Sequence, residues 1–538
     1  MRHTVPLPET WEVATIDEVT SYVQRGKSPA YTEKSDLPVV NQKCIRWNGV
    51  DPQWLKFVHP DQWPQWGEER FLQPGDVLWN STGTGTIGRA ALFRGLTGYE
   101  RAVVDSHVTI LRTGEYSPAL LHYWIMSPAV QAKIDRMQAG STNQVELSRA
   151  EVLATQVVVP PCPEQHRIVE AIESYLTRLD NAVALLERVE QNLKRYRASV
   201  LKAAVEGRLV PTEAALARQE ARAYEPASEL LKRILAERKT RWIEDAAEKA
   251  RAKAEEKARK AGQPWTAKDN AATIEKERAK AAKQYKEPAA PDTTGFPALP
   301  EGWCWATVEQ LASDQPRSIQ SGPFGSSLLH SEFRKTGKLV IGIDNVQDGV
   351  FTLGAQHRIS ERKYESLAQY EARPGDVLVT VMGTVGRCCV VPNDMEPAII
   401  TKHVYRVTPE RRLALPRFLL LTLRGAPAVR DQMLGQVRGQ TRPGLNGTIV
   451  RGLAVPLPPL GEQRRVVSEC ERAVSRAAVI ATAIETVGLR ASRLRQATLK
   501  WAFEGKLVEQ DPSDEPASAL LERIKAEGKS GRSRHADE

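Results

Sequence analysis

The sequence carries no G-x-x-x-x-G-K-[ST] phosphate loop, no H-E-x-x-H helix and no His/Cys cluster with zinc spacing. It also lacks the Asn/Asp-Pro-Pro-aromatic tetrapeptide with which amino-methyltransferases receive a flipped base. The nine histidines are dispersed, so no catalytic, cofactor or metal site is expected on this chain. None of the six cysteines forms a C-x-x-C pair, which argues against a disulfide framework and fits a reducing compartment. No apolar run approaches the ~18 residues that would span a bilayer. The opening MRHTVPLPETWEV has no apolar core of the kind a signal peptide needs. These absences lead to the expectation of a soluble cytoplasmic protein without a membrane partner. The formal net charge of +9 is mild for 538 residues; it suits a polyanionic partner without requiring one.

What is present is a chain written twice. LPETWEVATIDEV from Leu7 returns as LPEGWCWATVEQL from Leu299, and QPGDVL from Gln73 returns as RPGDVL from Arg373. VVPPCPEQHRIV answers PLPPLGEQRRVV, VLKAAVEGRLV answers TLKWAFEGKLV, and EPASELLKRILAE answers EPASALLERIKAE. Leu201 to Leu499 and Gly88 to Gly386 are both separated by 298 residues. Each half begins with a mixed region of short β-like runs (DVLWN, HVTILRT; DVLVTVM, HVYRVT) between Gly, Pro and Asn turns. A Pro-Pro pair, Pro160-Pro161 or Pro458-Pro459, then precedes a helix beginning with Glu-Gln.

The fold class expected is α+β, with two tandem α/β domains, two long helices and an internal pseudo-twofold repeat. The boundaries are 1–160 and 295–458 for the α/β domains, 161–236 and 459–538 for the helical regions, and 237–294 for a charged connecting segment. Within the long helices (163–206 and 461–504), apolar residues alternate in steps of four and three. The first series is Ile168, Ile172, Tyr175, Leu179, Ala182, Leu186, Val189, Leu193, Tyr196 and Val200. The second includes Val466, Cys470, Ile480, Ile484, Val487 and Leu494 in the same register. That is the a/d seam of a coiled coil, and two such seams predict antiparallel pairing over ~50 Å. The 237–287 stretch is rich in Ala, Lys, Glu and Arg with little apolar stripe, which reads as a solvated helix or linker. Its basic character would also suit nucleic acid or a partner subunit.

One motif points elsewhere. Gly83, Gly85 and Gly88 in NSTGTGTIGR spell G-x-G-x-x-G, the dinucleotide fingerprint, with Asp105 near the place of a ribose-binding acid. That fingerprint needs a long helix after the loop, and RAALFRGLTG soon runs into Gly and Thr. In the second copy, VTVMGTVGR, the 298-residue offset puts Val381 at the place of Gly83. The shared element is G-T followed by G-R, a tight turn between two strands.

The tandem layout, the P-P-x-x-EQ-x-R helix starts, the EGxLV endings and the PGDVL…GTVGR segment resemble the DNA-specificity subunit of type I restriction–modification systems. RGKSPAY from Arg25 and GPFGSSL from Gly322 are similar to openings of that family's target-recognition domains. The resemblance covers nearly the whole chain. It implies a non-catalytic subunit whose two recognition domains each read half of a bipartite sequence in double-stranded DNA. An antiparallel coiled coil would fix the gap and dock two modification subunits. S-adenosylmethionine would sit on those partners, and ATP and Mg on restriction/translocase subunits. A coiled-coil adaptor that reads no DNA is the alternative, and a nucleotide-binding enzyme using the glycine loop a more distant one. Loop residues able to meet bases or phosphates are the DNA-contact candidates. In the first domain they are Lys27, Ser28, Tyr31, Gln42, Asn80, Ser81, Thr84, Thr86, Arg89, Ser106, His107, Ser141, Thr142, Asn143 and Gln144. In the second they are Ser326, Ser327, Asn345, Thr384, Arg387, Lys402, His403, Gln440, Thr441 and Arg442.

Overall fold

The structure is a computed structural model that describes residues 6–83, 85–139, 145–354, 356–437 and 444–534. It divides into two units, one from residues 1–189 and 483–538 and the other from 190–482. The division passes through both long helices, Cys162–Val205 and Leu460–Phe503, so each unit holds a piece of each.

In the first unit a four-stranded antiparallel sheet has the order 20–25, 108–113, 77–80, 90–92. A second small sheet places strand 38–40 beside 103–104 in parallel and beside 56–58 antiparallel. The second unit repeats the first sheet as 319–321, 404–407, 377–380, 388–390, and again pairs its 338–341 strand in parallel, with 398–400. The repeated PGDVL motif has a common task. Asp76 and Asp376, both buried, accept from the backbone N–H three residues back (2.8 Å each) and face Arg112 and Arg406 of the neighbouring strand. Short strands 12–15 and 304–307 pair antiparallel with 156–159 and 454–457, the runs that lead into the Pro-Pro pairs.

The Glu-Gln pairs that open the long helices are tie points. Glu164 accepts from the Trp11 indole (2.9 Å) and from Gln510, and Glu462 accepts from the Trp303 indole (2.9 Å) and the Glu213 backbone (2.8 Å). Burial holds both carboxyls above the usual carboxylate range, against these hydrogen bonds, which favour the charged form. Gln165 and Gln463 reach back to the carbonyls of Pro160 and Pro458 and accept from the N–H groups of Ser117 and Leu415. The EPAS segments dock alike: Ala517 donates to the Thr10 carbonyl in the first unit (3.0 Å) and Ala227 to the Gly302 carbonyl in the second (2.9 Å). Each unit is therefore completed by the stretch that follows the other half's long helix.

One sequence expectation changes here. The continuous a/d seam is not the buried stripe. In the first unit Ile168, Ile172 and Leu176 pack in one cluster with Leu499, Ala502 and Phe503, and in the second Val200 and Ala204 pack with Val466, Cys470 and Ala473. Leu179, Leu186, Leu193 and Ile484 are half-buried, whereas Tyr175, Val189, Tyr196, Ile480, Val487 and Leu494 are exposed by 38–48%. The step from Ile172 to Leu176 rather than Tyr175 follows the 3.6-residue turn of a straight helix, on which a 3.5-residue repeat drifts off the buried face. Of the two forms expected of the charged 237–287 stretch, a solvated helix or a linker, the chain takes the helical one. Helix Ala227–Lys260 turns at Gly262 into helix Ala267–Gln284, and the two pair as a hairpin. Ala247 and Ala281 are buried, Trp242 and Tyr285 lie 5.5 Å apart, and Arg278 meets Glu244 at 2.6 Å. No helix among the described residues is long and apolar enough to cross a membrane.

Candidate nucleic-acid interface

The register of the first unit's main sheet brings three loops to one end. Thr109 faces Arg25, Val108 faces Asn80, and Trp79 faces Ala90. The chain leaving at Gly26, the turn Asp105–His107 and the loop 81–89 therefore adjoin. Gly26 is required by close approach, since a Cβ there would stand 2.2 Å from the Asp105 carbonyl oxygen. Gly322, at the matching crossing of the second unit, would meet the Ile400 carbonyl oxygen at 2.1 Å.

Within this cluster the Ser28 and Ser106 hydroxyls lie 2.6 Å apart, and the Thr82 hydroxyl is 2.5 Å from His107 Nδ1. Thr86 donates to the Thr82 and Gly83 carbonyls at 3.2 Å, and Arg89 Nη2 to the Gly85 carbonyl at 2.8 Å. No carboxylate among the described residues pairs with Arg89. Lys27 is exposed, its ammonium 3.4 Å from the Gln65 carbonyl and 5.9 Å from the Trp66 ring centre. Tyr31 is 40% exposed under the Lys56 ammonium.

Three candidates serve the scaffold instead. Asn80 is fully buried and donates to the Gln42 (3.0 Å) and Thr86 (3.3 Å) carbonyls, tying two loops together. Ser81 is fully buried against the Thr109 hydroxyl at 2.5 Å. Asn345 in the second unit is 2% exposed; it accepts from the Gly342 N–H and donates to the Thr352 and Leu353 carbonyls. An Asn or Ser beside a glycine turn reads the same in sequence whether it clips the backbone or faces solvent. Gln42 is half-buried, its side-chain oxygen enclosed and without a hydrogen-bond partner among the described residues.

The second unit builds the same end from 322–327, 401–403 and 381–387. Val381 N donates to the His403 carbonyl as Ser81 N does to that of His107 (3.0 and 2.9 Å), and Gly386 N to Thr380 as Gly88 N to Asn80 (2.9 Å each). These bonds make Val381 the counterpart of Ser81, not of Gly83. The first loop is longer by two residues, and Gly83 lies in the extra pair. The shared glycines, Gly85 with Gly383 and Gly88 with Gly386, all have positive φ (74–85°). Arg387 is exposed and donates to Gln347 (3.0 Å), while Lys402 is exposed beside His403, whose pKa is lowered by burial and by that lysine. The Thr384 hydroxyl is enclosed and has no hydrogen-bond partner among the described residues. Ser326 and Ser327 are exposed beside Phe324, itself 64% exposed. Thr84, Ser141, Thr142, Asn143, Gln144, Gln440, Thr441 and Arg442 lie outside the described residues.

Several residues not singled out in the sequence join these clusters. Arg25 donates to the Ser106 carbonyl (2.5 Å) and pairs with Glu146, which bridges to Thr82. Lys43 and Arg46 lie 5.5 and 5.9 Å from the ring of Trp54, which is 42% exposed. The interleaving of basic and aromatic residues in NQKCIRWNGVDPQW was the available signal.

The chemistry is that of contact. The glycine loop runs from strand 77–80 directly into strand 90–92, so it does not open a helix as the dinucleotide fingerprint requires, and Asp105 is buried as the cap of the His107 turn. Burial pushes the thiols of Cys44, Cys304 and Cys470 up to about 11 and that of Cys389 to about 12, so none is an activated thiolate. Among the described residues no three His, Cys, Asp or Glu side chains are grouped to hold a metal ion.

The family profile described as the type I restriction modification DNA specificity domain matches residues 8–195. The type I restriction enzyme EcoBI specificity subunit of Escherichia coli is 26% identical over 396 residues, covering 72% of this chain and 68% of its own. The EcoKI specificity subunit of Escherichia coli strain K12 is 21% identical over 560 residues, covering 97% of this chain and 96% of its own. Among solved structures, the HsdS subunit from Thermoanaerobacter tengcongensis matches with a TM-score of 0.52 at 17% identity, over 94% of this chain and 99% of that one. At that identity the likeness concerns the fold.

Proposed function

We propose that this chain is a specificity subunit of a type I restriction–modification system, as its similarity to that family suggests, and that it reads a bipartite DNA sequence, one part through each unit's loop cluster. The observation that carries this reading is the repetition itself. The same end of the same four-stranded sheet gathers a glycine crossing, a G-T…G-R hairpin ending in an arginine, and a histidine turn in both units. Such loops can place arginine and lysine on phosphates and hydroxyl or imidazole groups on base edges. The chain supplies recognition and no chemistry of its own. Two modification subunits bind along the long helices and hold S-adenosylmethionine, and restriction/translocase subunits hold ATP and Mg.

The test is the set of methylated motifs in the host genome with and without this gene. A motif split by a run of unspecified bases should disappear with the gene. If every methylated motif persists unchanged, the adaptor reading replaces this one.

A further inference from the structure

The helical hairpin 227–284 lies outside the loop clusters, and its surface is not uniform. Ala247 and Ala281 are the buried positions through which its two helices face each other. Stepping about 100° per residue from these positions puts Lys249, Lys253 and Lys257 of the first helix on one side of the hairpin. The antiparallel second helix puts Lys276, Lys280 and Lys283 on that same side. All six are exposed. Only Lys280 has an ion-pair partner among the described residues, Glu277 at 3.3 Å. The opposite side carries Glu248 and Glu255 and the cross-helix pair of Arg278 with Glu244. The lysines are thus gathered on one face, which by the same stepping also carries Asp269 and Glu277.

Two further features define the partner. Alanine is the largest apolar side chain between these lysines, so the face offers no anchor for a protein interface, whose core favours aromatics and arginine over lysine. Lysines at i, i+4 and i+8 form a row with ~6 Å steps, a ladder of compact charges suited to successive phosphates and indifferent to sequence. The hairpin is also anchored. Arg238 donates to the Gln310 carbonyl at 3.3 Å, Arg241 pairs with Asp314, Arg412 meets Glu237 at 2.7 Å, and Leu230, Leu231 and Ile234 join the second unit's core.

We propose that this lysine face is a second, sequence-independent DNA contact, gripping the phosphate backbone of duplex that the recognition loops do not read. The inference rests on the DNA-reading function proposed above. The experiment replaces Lys249, Lys253, Lys257, Lys276 and Lys283 with Gln in the full chain, assembled with its modification subunits. Binding to a duplex carrying the methylated motif and to one without it is titrated over a range of salt. The variant should lose about 10-fold or more in affinity for both duplexes alike, and the slope of log K against log salt should flatten by roughly 0.9 per lost contact. The corresponding Lys→Arg variant should bind as the unaltered complex does. Unchanged affinity and slope in the Gln variant would overturn the inference. So would failure of the Gln variant to assemble with the modification subunits in the absence of DNA, since the face would then bind an acidic protein surface. If the unaltered complex binds neither duplex, the DNA-reading function itself fails.

Discussion

His122 occupies a core position that Leu420 fills in the second unit, where helix 416–425 answers helix 118–126 at the 298-residue offset. The imidazole is 7% exposed and 3.2 Å from the Ala90 carbonyl, and burial pushes its pKa down to about 4. In the unfolded chain it titrates near ~6.5. Its neutral form therefore contributes stability in full above pH ~6.5, and that contribution is lost as the pH falls towards 4, by about 3 kcal/mol. Glu164 in the same unit acts in the opposite sense, because its raised pKa favours the folded state on acidification. His122→Leu separates the two. Melting temperatures followed from pH 7 to 4 should fall less steeply in the variant, and parallel curves would show that His122 does not titrate on unfolding. The same residue shows a limit of reading sequence. The nine histidines are equally dispersed in the chain, and burial alone distinguishes this one from His107.

At the scale of the element, the G-T…G-R hairpin shows what its sequence disclosed and what it withheld. Its place between two strands followed from the flanking runs, and the second copy removed the cofactor reading. Its interior did not follow, because Asn80, Ser81 and Thr86 are turn-type residues whichever way they point. The long helices divide in the same way. Their existence and ends were legible from Pro-Pro-x-x-Glu-Gln, but the seam was not, because each helix buries its start in its own half's domain and its end in the other half's, which interrupts a heptad stripe. In the hairpin, Gly88 has φ +84° and a Cβ would meet Ile134 at 3.0 Å, whereas Gly85 has φ +79° and open space. Gly88→Ala should therefore destabilise the first unit by more than the ~1–2 kcal/mol expected for backbone strain alone, and Gly85→Ala by about that amount. Urea unfolding checks the order, and equal costs would mean that Ile134 moves aside freely.

For the whole molecule, the tandem repeat is closed rather than merely doubled. The segment after the first long helix completes the second unit, and the segment after the last long helix completes the first. Ala517 and Leu520 are buried in the first unit's core, Arg167 meets Asp514 at 2.6 Å, and Gln510 reaches Glu164. In the second unit Ala227 and Leu230 do the equivalent packing, and Arg233 clasps Glu225 as Arg523 clasps Glu515. The internal repeat was legible from the sequence, but this exchange was not, because matching motifs say that two segments are alike and not which domain each one covers. Deleting 506–538 should therefore damage residues at the opposite terminus. The loss of a buried Leu and Ala contributes ~3 kcal/mol, to which the lost Gln510 tie to the buried Glu164 adds. Amide exchange should rise across strands 12–15 and 156–159 and leave 304–307 and 454–457 protected. Equal deprotection of both pairs would mean that the two units unfold as one, and an unchanged first unit would mean that the C-terminal segment is dispensable to it.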